Sequence, residues 1–364
     1  MSLNRRDFMK LGLGACLLPA IGSSRAETLV SENMYVFGTL VEVDVMAADA
    51  EAARAAIADV SHTFSLQNRD WHAWKPGALG DLNRALAAGR EHAVEPGLLS
   101  MLHEARDIAL ASGGLYNPAI GSLVGLWGFH SDELPVGTPP DAAAVAQLVA
   151  AAPGMQDLVF KGNRVSSRNP HVQIDLGGHA KGVAIDLALD RLAQLGYDNA
   201  LVNLGGNLAV AGDRGGRPWR IGVRHPQGGR SDLRHPQGRR FHQSGALASL
   251  ELSGRMAVVT SGTYERYRQC GDRRYPHIID PRSGQPASHV VSATVLHRQA
   301  ARADGPATSL VVAGPEAWVD VARRMGLDEV MIVDDQGQVQ LTPGMAARMQ
   351  FVAQPASVKI VGLA

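Results

Sequence analysis

The chain has 364 residues, with 35 basic and 35 acidic side chains and no net charge at pH 7. The basic residues are scattered, which excludes the concentrated positive surface that a nucleic-acid-binding protein presents. With only Cys16 and Cys270, the chain cannot be stabilised mainly by disulfides. A large hydrophobic core must supply the stability, in a single domain or two intimately packed lobes.

Residues 1–26 are predicted to be an export signal. Arg5 and Arg6 precede an apolar run, Leu11 to Ile21, that is too short to span a bilayer, and Ser24-Arg25-Ala26 offers small residues for a signal peptidase. We therefore expect a mature domain of residues 27–364 that resides in the periplasm. No later segment is long and apolar enough to be a membrane span.

A second interpretation of the same segment is a lipoprotein signal. Leu13-Gly14-Ala15-Cys16 resembles a lipobox, in which Cys16 would be acylated and would anchor the protein to a membrane. The twin-arginine interpretation ranks first, because the apolar stretch continues beyond Cys16 and a better cleavage site follows.

Hydrophobic periodicity predicts helices and strands that alternate without a strict βαβ rhythm. We therefore expect an α/β or α+β fold with layered mixed sheets and flanking helices. A duplicated RHPQG sequence at 224–228 and 234–238 predicts a variable surface loop. The predicted strands are 41–45, 157–160, 172–176, 200–204 and a closing hairpin over 330–340; the predicted helices are 52–64, 96–112, 180–195, 303–312 and 315–326; the predicted loops are 71–80 and 113–129.

The segment Asp175 to Asp186, DLGGHAKGVAID, predicts a strand that ends in a Gly-Gly turn before a helix. Free backbone N–H groups and the helix dipole make such a helix start a site for anions, and glycine lets a phosphate approach the main chain. Lys181 lies in the first turn, within reach of the same ligand. An ordinary strand-to-helix connection is the alternative.

Asp304 and Thr308 are four residues apart in a predicted helix, so they project from the same face. A carboxylate beside a hydroxyl suits Mg²⁺, which prefers oxygen ligands and completes its shell with water or substrate phosphates. The alternative is that Asp304 caps its own helix and Thr308 bonds back to a carbonyl.

His277 follows Tyr275-Pro276 and precedes a proline-glycine turn, and it is a candidate base or phosphate ligand. A structural histidine is the alternative. The segment Val258 to Thr263, VVTSGT, adds hydroxyls that could bond phosphate oxygens. The sequence contains no HExxH, paired CxxC, Walker A, GxSxG or complete GxGxxG motif.

Taken in order, DLGGHAKGVAID, NLGGN, VVTSG, HIIDPRSG and ADGPATSL resemble the ApbE family of FAD:protein FMN transferases. The resemblance extends to NRDWHAWKPGALGDLN over 68–83 and YNPAIGSLVGLWGF over 116–129. It implies an exported enzyme that binds FAD with Mg²⁺ and transfers FMN to a Thr or Ser hydroxyl of a redox protein, releasing AMP.

The resemblance also assigns residues. Mg²⁺ would be held by the backbone carbonyl of Ala180 and the side chains of Asp304 and Thr308, with Asp304 and His277 as the catalytic residues and His277 as the base. Lys181 would neutralise the pyrophosphate. The FAD contacts implied are Phe37, Trp74, Leu115, Tyr116, Asn117, Asp175, Lys181, His277 and Ile278.

Some positions depart from the family pattern. Phe37 replaces a frequent methionine, Trp74 a frequent tyrosine, and Asn207 a frequent acidic residue after Gly205-Gly206. Two other functions are compatible with the same site. One is a pyrophosphatase that hydrolyses FAD to FMN and AMP, and the other is a non-catalytic flavin-binding protein.

Overall fold

A computed structural model describes residues 26–226 and 245–363. Its centre is a nine-stranded sheet with the order β1-β2-β6-β7-β10-β13-β14-β15-β17, in which every pair is antiparallel except β15 with β17. Of the two predicted classes, α/β and α+β, an almost entirely antiparallel sheet is typical of an α+β fold with layered sheets and flanking helices. The strands are β1 (Thr28–Val36), β2 (Thr39–Ala47), β3 (His92–Ala93), β4 (Leu158–Lys161), β5 (Arg164–Ser167), β6 (Ala200–Leu204), β7 (Asn207–Ala211), β8 (Trp219–Arg224), β9 (Ala246–Leu252), β10 (Met256–Gly262), β11 (Tyr267–Cys270), β12 (Arg273–Pro276), β13 (Val290–His297), β14 (Glu329–Asp334), β15 (Gln338–Leu341), β16 (Met349–Phe351) and β17 (Ser357–Ile360).

One face of the large sheet is covered by three long helices, α1, α6 and α7. The strands alternate as sequence periodicity requires: Ala257 and Val259 pack in the core under the helices, while Val258 between them packs on the opposite face. The helices are α1 (Ala50–Asp70), α2 (Ala78–Ala87), α3 (Pro96–Ala111), α4 (Gly121–Leu126), α5 (Ala142–Ala150), α6 (Ala180–Gln194), α7 (Ala301–Arg324) and α8 (Pro343–Arg348).

The opposite face packs on a three-stranded sheet with the order β16-β9-β8. Trp219 and Ile221 of β8 and Leu250 of β9 are buried against it. Because apolar side chains of the central strands are buried on both faces, β10 and β14 contain the apolar runs 256–259 and 330–333 rather than strict alternation.

A separate hydrophobic cluster joins α2 and α3 to the small sheet β3-β5-β4. A fourth cluster holds α4 and α5 beside Ile279. Two of these cores meet near the start of α6. Tyr116, Leu176 and Ala180 belong to the cluster of α2 and α3, whereas Ala184 belongs to the core under α1, α6 and α7. No helix in residues 26–226 and 245–363 is long and apolar enough to cross a membrane.

Most predicted elements are present, including the strand at 41–45 and the hairpin near the end of the chain. The two predicted helices over 303–326 are observed as α7, which breaks at Gly314, where φ is 81°. The predicted export signal up to residue 25, Cys16 within it, the last two residues of the first RHPQG sequence and all of the second lie outside the described residues.

Two predictions about loops and strands were wrong. Residues 172–176 do not form a strand: Val172, Ile174 and Leu176 are buried alternately, but the segment makes one bridge to Ile120 and otherwise bonds to the 118–121 loop and to Asn83. The 113–129 loop contains α4, whose first turn packs on the backbone of Gln173. Tertiary contacts rather than local pattern decide both cases.

Candidate functional site

Helices α6 and α7 begin side by side, and each caps the other. Gly182 N–H of α6 donates to Asp304 Oδ2 of α7 at 3.0 Å. In return, Asp186 of α6 accepts from the N–H groups of Ala300 and Ala301, at 3.0 and 2.9 Å. The free N–H groups of two helix starts are thus satisfied by carboxylates from the neighbouring helix. We call this region the helix junction.

Gly182 is required for the close approach of the two helices. A Cβ at this position would lie 2.5 Å from the Ala300 carbonyl oxygen and 2.9 Å from Ala301 Cα. These atoms belong to the backbone, so they cannot rotate away as the end of a side chain could. The glycine that follows Lys181 is therefore explained by the close packing of α6 against the start of α7.

Asp304 is 2% exposed, and its second oxygen is also engaged. Asn207 Nδ2 donates to Asp304 Oδ1 at 2.9 Å, and Asn207 Oδ1 accepts from Thr260 N–H at 3.2 Å. Asn207 is 3% exposed. The alternative that Asp304 caps its own helix is wrong, because α7 begins without a side-chain cap and Asp304 binds the start of α6 instead. Its second part is confirmed, since Thr308 Oγ1 donates back to the Asp304 carbonyl oxygen.

Thr308 lies one turn after Asp304, as its spacing predicts. Its Oγ1 is 3.0 Å from Ser261 Oγ and makes a long contact of 3.4 Å with the Asp304 carbonyl oxygen. A Cβ at Gly178 would lie 3.4 Å from the same Oγ1. The Gly-Gly turn, the VVTSG strand and the ADGPATSL helix therefore meet around one hydroxyl, although they are distant in sequence.

The donor set at the helix junction fits a hard cation. Asp304 accepts one hydrogen bond on each carboxylate oxygen, and a carboxylate has about four lone-pair positions, so capacity remains for a metal. Ala180 is the first residue of α6, between Gly178 and Gly182. Residues 26–226 and 245–363 contain no cluster of three His, Cys, Asp or Glu side chains. The side-chain oxygens that meet at the helix junction are the Asp304 carboxylate and the Thr308 and Ser261 hydroxyls, which are ligands of the kind that Mg²⁺ accepts.

Tyr116 connects the helix junction with the next part of the site. Its ring lies between two glycines, because a Cβ at Gly178 or at Gly305 would be 3.2 Å from it. Its buried hydroxyl has no hydrogen-bond partner. Burial, followed by the charges of Asp304 and Asp175, raises the pKa of Tyr116 well above its usual range. The hydroxyl therefore stays protonated and is a donor for a ligand oxygen.

Loops supply the other part of the site, which we call the loop wall: Trp74, His130, Asp175, Arg266 and His277. Asp175 Oδ1 accepts from Gly177 N–H at 2.8 Å, and Asp175 Oδ2 lies 3.0 Å from His130 Nε2. The His130 ring stacks on Trp74 with centroids 4.6 Å apart and planes at 15°. Burial acts to raise the pKa of Asp175, but the bonds from His130 and Gly177 and the Arg266 charge outweigh it, so the pKa is lowered.

His277 is held by a backbone carbonyl. Its Nδ1 lies 3.1 Å from the Arg266 carbonyl oxygen, which can only accept, so Nδ1 carries the proton. Burial, with the positive charge of Arg266 as the second cause, lowers the pKa of His277 to about 4. At neutral pH the imidazole is therefore uncharged and Nε2 is free to accept a proton. The Arg266 guanidinium itself is bonded to the carbonyls of Phe129 and Ser131.

The remaining predicted site residues occupy different surroundings. Lys181 has no hydrogen-bond or ion-pair partner within the described parts of the chain, and its charge contributes to the lowered pKa of His277. Asn117 holds its own loop, since it donates to the Pro153 carbonyl and accepts from Ala119 N–H. Leu115 and Ile278 are buried in the core between the nine-stranded sheet and helices α1, α6 and α7.

Phe37 lies in the β1–β2 turn, where its φ is 53° and its ring meets Phe64 edge-on at 6.0 Å. Glycine is the usual residue at such a φ, so Phe37 is an unusual occupant of its turn. The Gly205-Gly206 turn that leads to Asn207 adjoins the same hairpin, because Gly205 N–H donates to the Leu40 carbonyl at 3.1 Å. No direct contact joins Phe37 to the loop wall among the contacts of the described residues.

Two residues that contribute to the site were missed by sequence reasoning. His130 comes directly after the YNPAIGSLVGLWGF segment, and Arg266 lies eleven residues before His277. Ser261 was noted only as one of several hydroxyls, and Asn207 only as a departure from the family pattern. Position next to a motif was the one available signal for His130, because its partners Trp74 and Asp175 are distant in sequence.

Comparison with known proteins gives one consistent family. The ApbE family matches residues 37–332. The chain is 44% identical to an FAD:protein FMN transferase of Rhodobacter capsulatus over 99% of this chain and 67% of that protein. It is 32% identical to an FAD:protein FMN transferase of Klebsiella pneumoniae over 89% of this chain and 91% of that protein.

Solved structures agree with the sequence comparisons. The ApbE protein of Thermotoga maritima superimposes with a TM-score of 0.77 at 25% identity, covering 89% of this chain and all of that one. The flavinyl transferase ApbE of Pseudomonas stutzeri, in its apo form, gives a TM-score of 0.74 at 26% identity, covering 90% of this chain and 98% of that one.

Proposed function

The chain belongs to the ApbE family, and from this premise we propose that it transfers FMN from FAD to a Thr or Ser hydroxyl of an acceptor protein and releases AMP. One observation carries the proposal most directly. The helix junction gathers the Asp304 carboxylate and the Thr308 and Ser261 hydroxyls beside the helix start that bears the unpaired Lys181.

These groups are suited to a pyrophosphate. Two phosphates linked in FAD carry negative charge, which the Lys181 ammonium can neutralise. The dipole at the start of α6 adds to this effect, although Ala180 N–H and Gly182 N–H are already bonded within the protein. Asp304, Thr308 and the carbonyl of Ala180 would hold Mg²⁺. When bound, Mg²⁺ supplies a positive charge that stabilises the phosphate oxygens as negative charge develops on them.

The loop wall supplies the base. In the proposed reaction the acceptor hydroxyl oxygen forms a bond to the FMN phosphorus, and the bond from that phosphorus to the AMP oxygen breaks. The hydroxyl proton passes to His277 Nε2, which is unprotonated because Nδ1–H donates to the Arg266 carbonyl. Tyr116, with its unpartnered hydroxyl, is placed to donate to a ligand oxygen.

The proposal includes a cellular location. The twin arginines and the apolar run before residue 26 support export to the periplasm, with anchoring through Cys16 as the alternative. The acceptor would then be a periplasmic or membrane-attached redox protein. Labelling cells with a lipid precursor and measuring the mass of the mature N-terminus distinguishes the two forms.

One experiment separates transfer from the other two functions. Purified protein is incubated with FAD, Mg²⁺ and a peptide that carries a single threonine, and the products are identified by mass spectrometry. Covalent FMN on the peptide together with AMP supports transfer. Free FMN with AMP and an unmodified peptide would show a pyrophosphatase, and unchanged FAD would show a binding protein.

A pair of lysine variants sharpens this experiment. Lys181→Ala should weaken FAD turnover strongly, because it removes the unpaired ammonium at the start of α6. Lys161→Ala is the matched control, since Lys161 is exposed at the end of β4. Equal activity in the two variants would contradict the role assigned to Lys181.

A further inference from the structure

Two separate loops meet at Trp74, and a third loop, which carries Asp175, holds His130. The His130 ring stacks on its indole, and the His72 ring meets the indole edge-on with centroids 4.1 Å apart. Two imidazoles therefore hold one indole, and His130 is itself held from behind by Asp175. The side chains of His130 and Asp175 are only 11% and 17% exposed. This is a packed arrangement rather than a chance surface contact.

The chemistry of the His130–Asp175 pair fixes the orientation of the His130 ring. The lowered pKa of Asp175 keeps its carboxylate ionised, and an ionised carboxylate only accepts hydrogen bonds. The proton between the two groups must therefore lie on His130 Nε2. A ring bonded through one nitrogen and stacked through its face has no remaining rotational freedom, so it forms a fixed support for Trp74.

The same carboxylate reaches the other half of the site. Asp175 Oδ1 accepts from Gly177 N–H, within the Gly-Gly turn that leads into α6 and Lys181. One side chain thus fixes both the turn at the helix junction and the ring behind Trp74. Space for the imidazole comes from Gly125 of α4, because a Cβ there would lie 3.0 Å from His130 Nδ1.

We propose that His130 is a positioning residue for the flavin ring of FAD. Held by its own bond to Asp175, the His130 ring keeps the Trp74 indole in a fixed orientation. This inference rests on the proposed function, because it assumes that Trp74 meets the flavin. His130 does not touch the substrate, so it acts only through Trp74. A planar aromatic ligand gains most from an indole that is already immobilised, since binding then costs less side-chain entropy.

The test is a double-mutant cycle on FAD binding. Flavin fluorescence gives the Kd for FAD in the wild type, His130→Ala, Trp74→Ala and the double variant. His130→Ala should raise the Kd by about tenfold, because the Trp74 and Asp175 side chains that His130 holds must then be ordered on binding. In the Trp74→Ala background the same change should have no further effect, and the KM for FAD should rise more than kcat falls.

Further variants separate positioning from a loss of folding. Gly125→Ala should also raise the Kd, because its Cβ crowds His130 Nδ1 while every polar group is retained. His62→Ala, on the exposed side of α1, is the control and should bind FAD as the wild type does. Circular dichroism and thermal unfolding check that each variant is folded.

Two results would overturn the inference: an unchanged Kd in folded His130→Ala, or an equal loss from His130→Ala with and without Trp74. Either result leaves the proposed function in place. A wild-type protein that neither binds FAD nor modifies the peptide would instead overturn the proposed function itself, so the two failures are distinguishable.

Discussion

The helix junction and the loop wall are built on different principles. At the helix junction, Asp304 and Asp186 each bond backbone N–H groups of the opposite helix, and Gly182 lets the two backbones touch. In the loop wall, Trp74, His130 and Asp175 hold one another through a ring stack and a side-chain bond. The first depends on main-chain geometry and the second on mutual contacts between side chains.

The difference predicts how each part tolerates change. A defect at the helix junction should reduce stability as well as activity, because buried N–H groups lose their partners. A defect in the loop wall should reduce activity with less loss of stability, because its members are partly exposed loop residues. Each variant below tests one side of this comparison.

His277→Asn gives the largest expected effect and tests the loop wall. Loss of the base should lower the transfer rate by about 10²–10⁴-fold while leaving thermal unfolding nearly unchanged. The pH dependence of kcat/KM is a second measurement. Because the pKa of His277 is about 4 and the uncharged form is the base, wild-type activity should fall only as the pH drops toward 4. A fall through pH 6.5 would contradict the burial assigned to this ring.

Asp304→Asn tests the helix junction and should lower Mg²⁺-dependent transfer by about 100-fold, since a metal-bound charge is worth several kcal/mol in the transition state. Asparagine retains an oxygen that can accept from Gly182 N–H, but its amide nitrogen then faces the Asn207 Nδ2 donor, so the protein should fold with some loss of stability. Asp304→Ala would in addition leave Gly182 N–H and Asn207 Nδ2 without a partner, at a cost of about 1–3 kcal/mol. Full activity in Asp304→Asn would rule out Asp304 as the metal ligand.

Asn207→Asp tests the same cation site without an activity assay. It replaces a donor to Asp304 by a second carboxylate, so without a divalent cation the free energy of unfolding should fall by about 1–3 kcal/mol. Added Mg²⁺ should raise the Tm of this variant more than that of the wild type. Asn207→Ala is the control, because it loses the donor without adding charge. Equal responses to Mg²⁺ in both variants would argue against a cation beside Asp304.

Gly182→Ala has the smallest expected effect, and its loss of stability is the quantity to measure. Its Cβ would crowd the Ala300 carbonyl, and overpacking of this kind costs about 1–3 kcal/mol, measured by urea unfolding. Gly97→Ala in α3 is the matched control, since its Cβ meets nothing within 4 Å and should be neutral or slightly stabilising. If the two variants were equally stable, the helices would not be as closely packed as the structure indicates.

Sequence reasoning worked best where chemistry follows local spacing. The four-residue interval of Asp304 and Thr308 predicted their shared helix face, and the Gly-Gly sequence before Lys181 predicted the start of α6. It also limited the fold to layered mixed sheets with flanking helices. It failed for residues 172–176, where alternate burial imitates a strand although the hydrogen bonds go to a loop and to Asn83.

The amino-acid sequence by itself determined the family, the order of most elements and the main oxygen and nitrogen groups of the site. Only the tertiary structure decided which of them meet: Asn207 with Asp304, Ser261 with Thr308, and His130 with both Asp175 and Trp74. The physical reason is range. Helix spacing and turn chemistry act over a few residues, whereas a carboxylate that bonds a distant N–H is placed by the packing of entire helices and sheets.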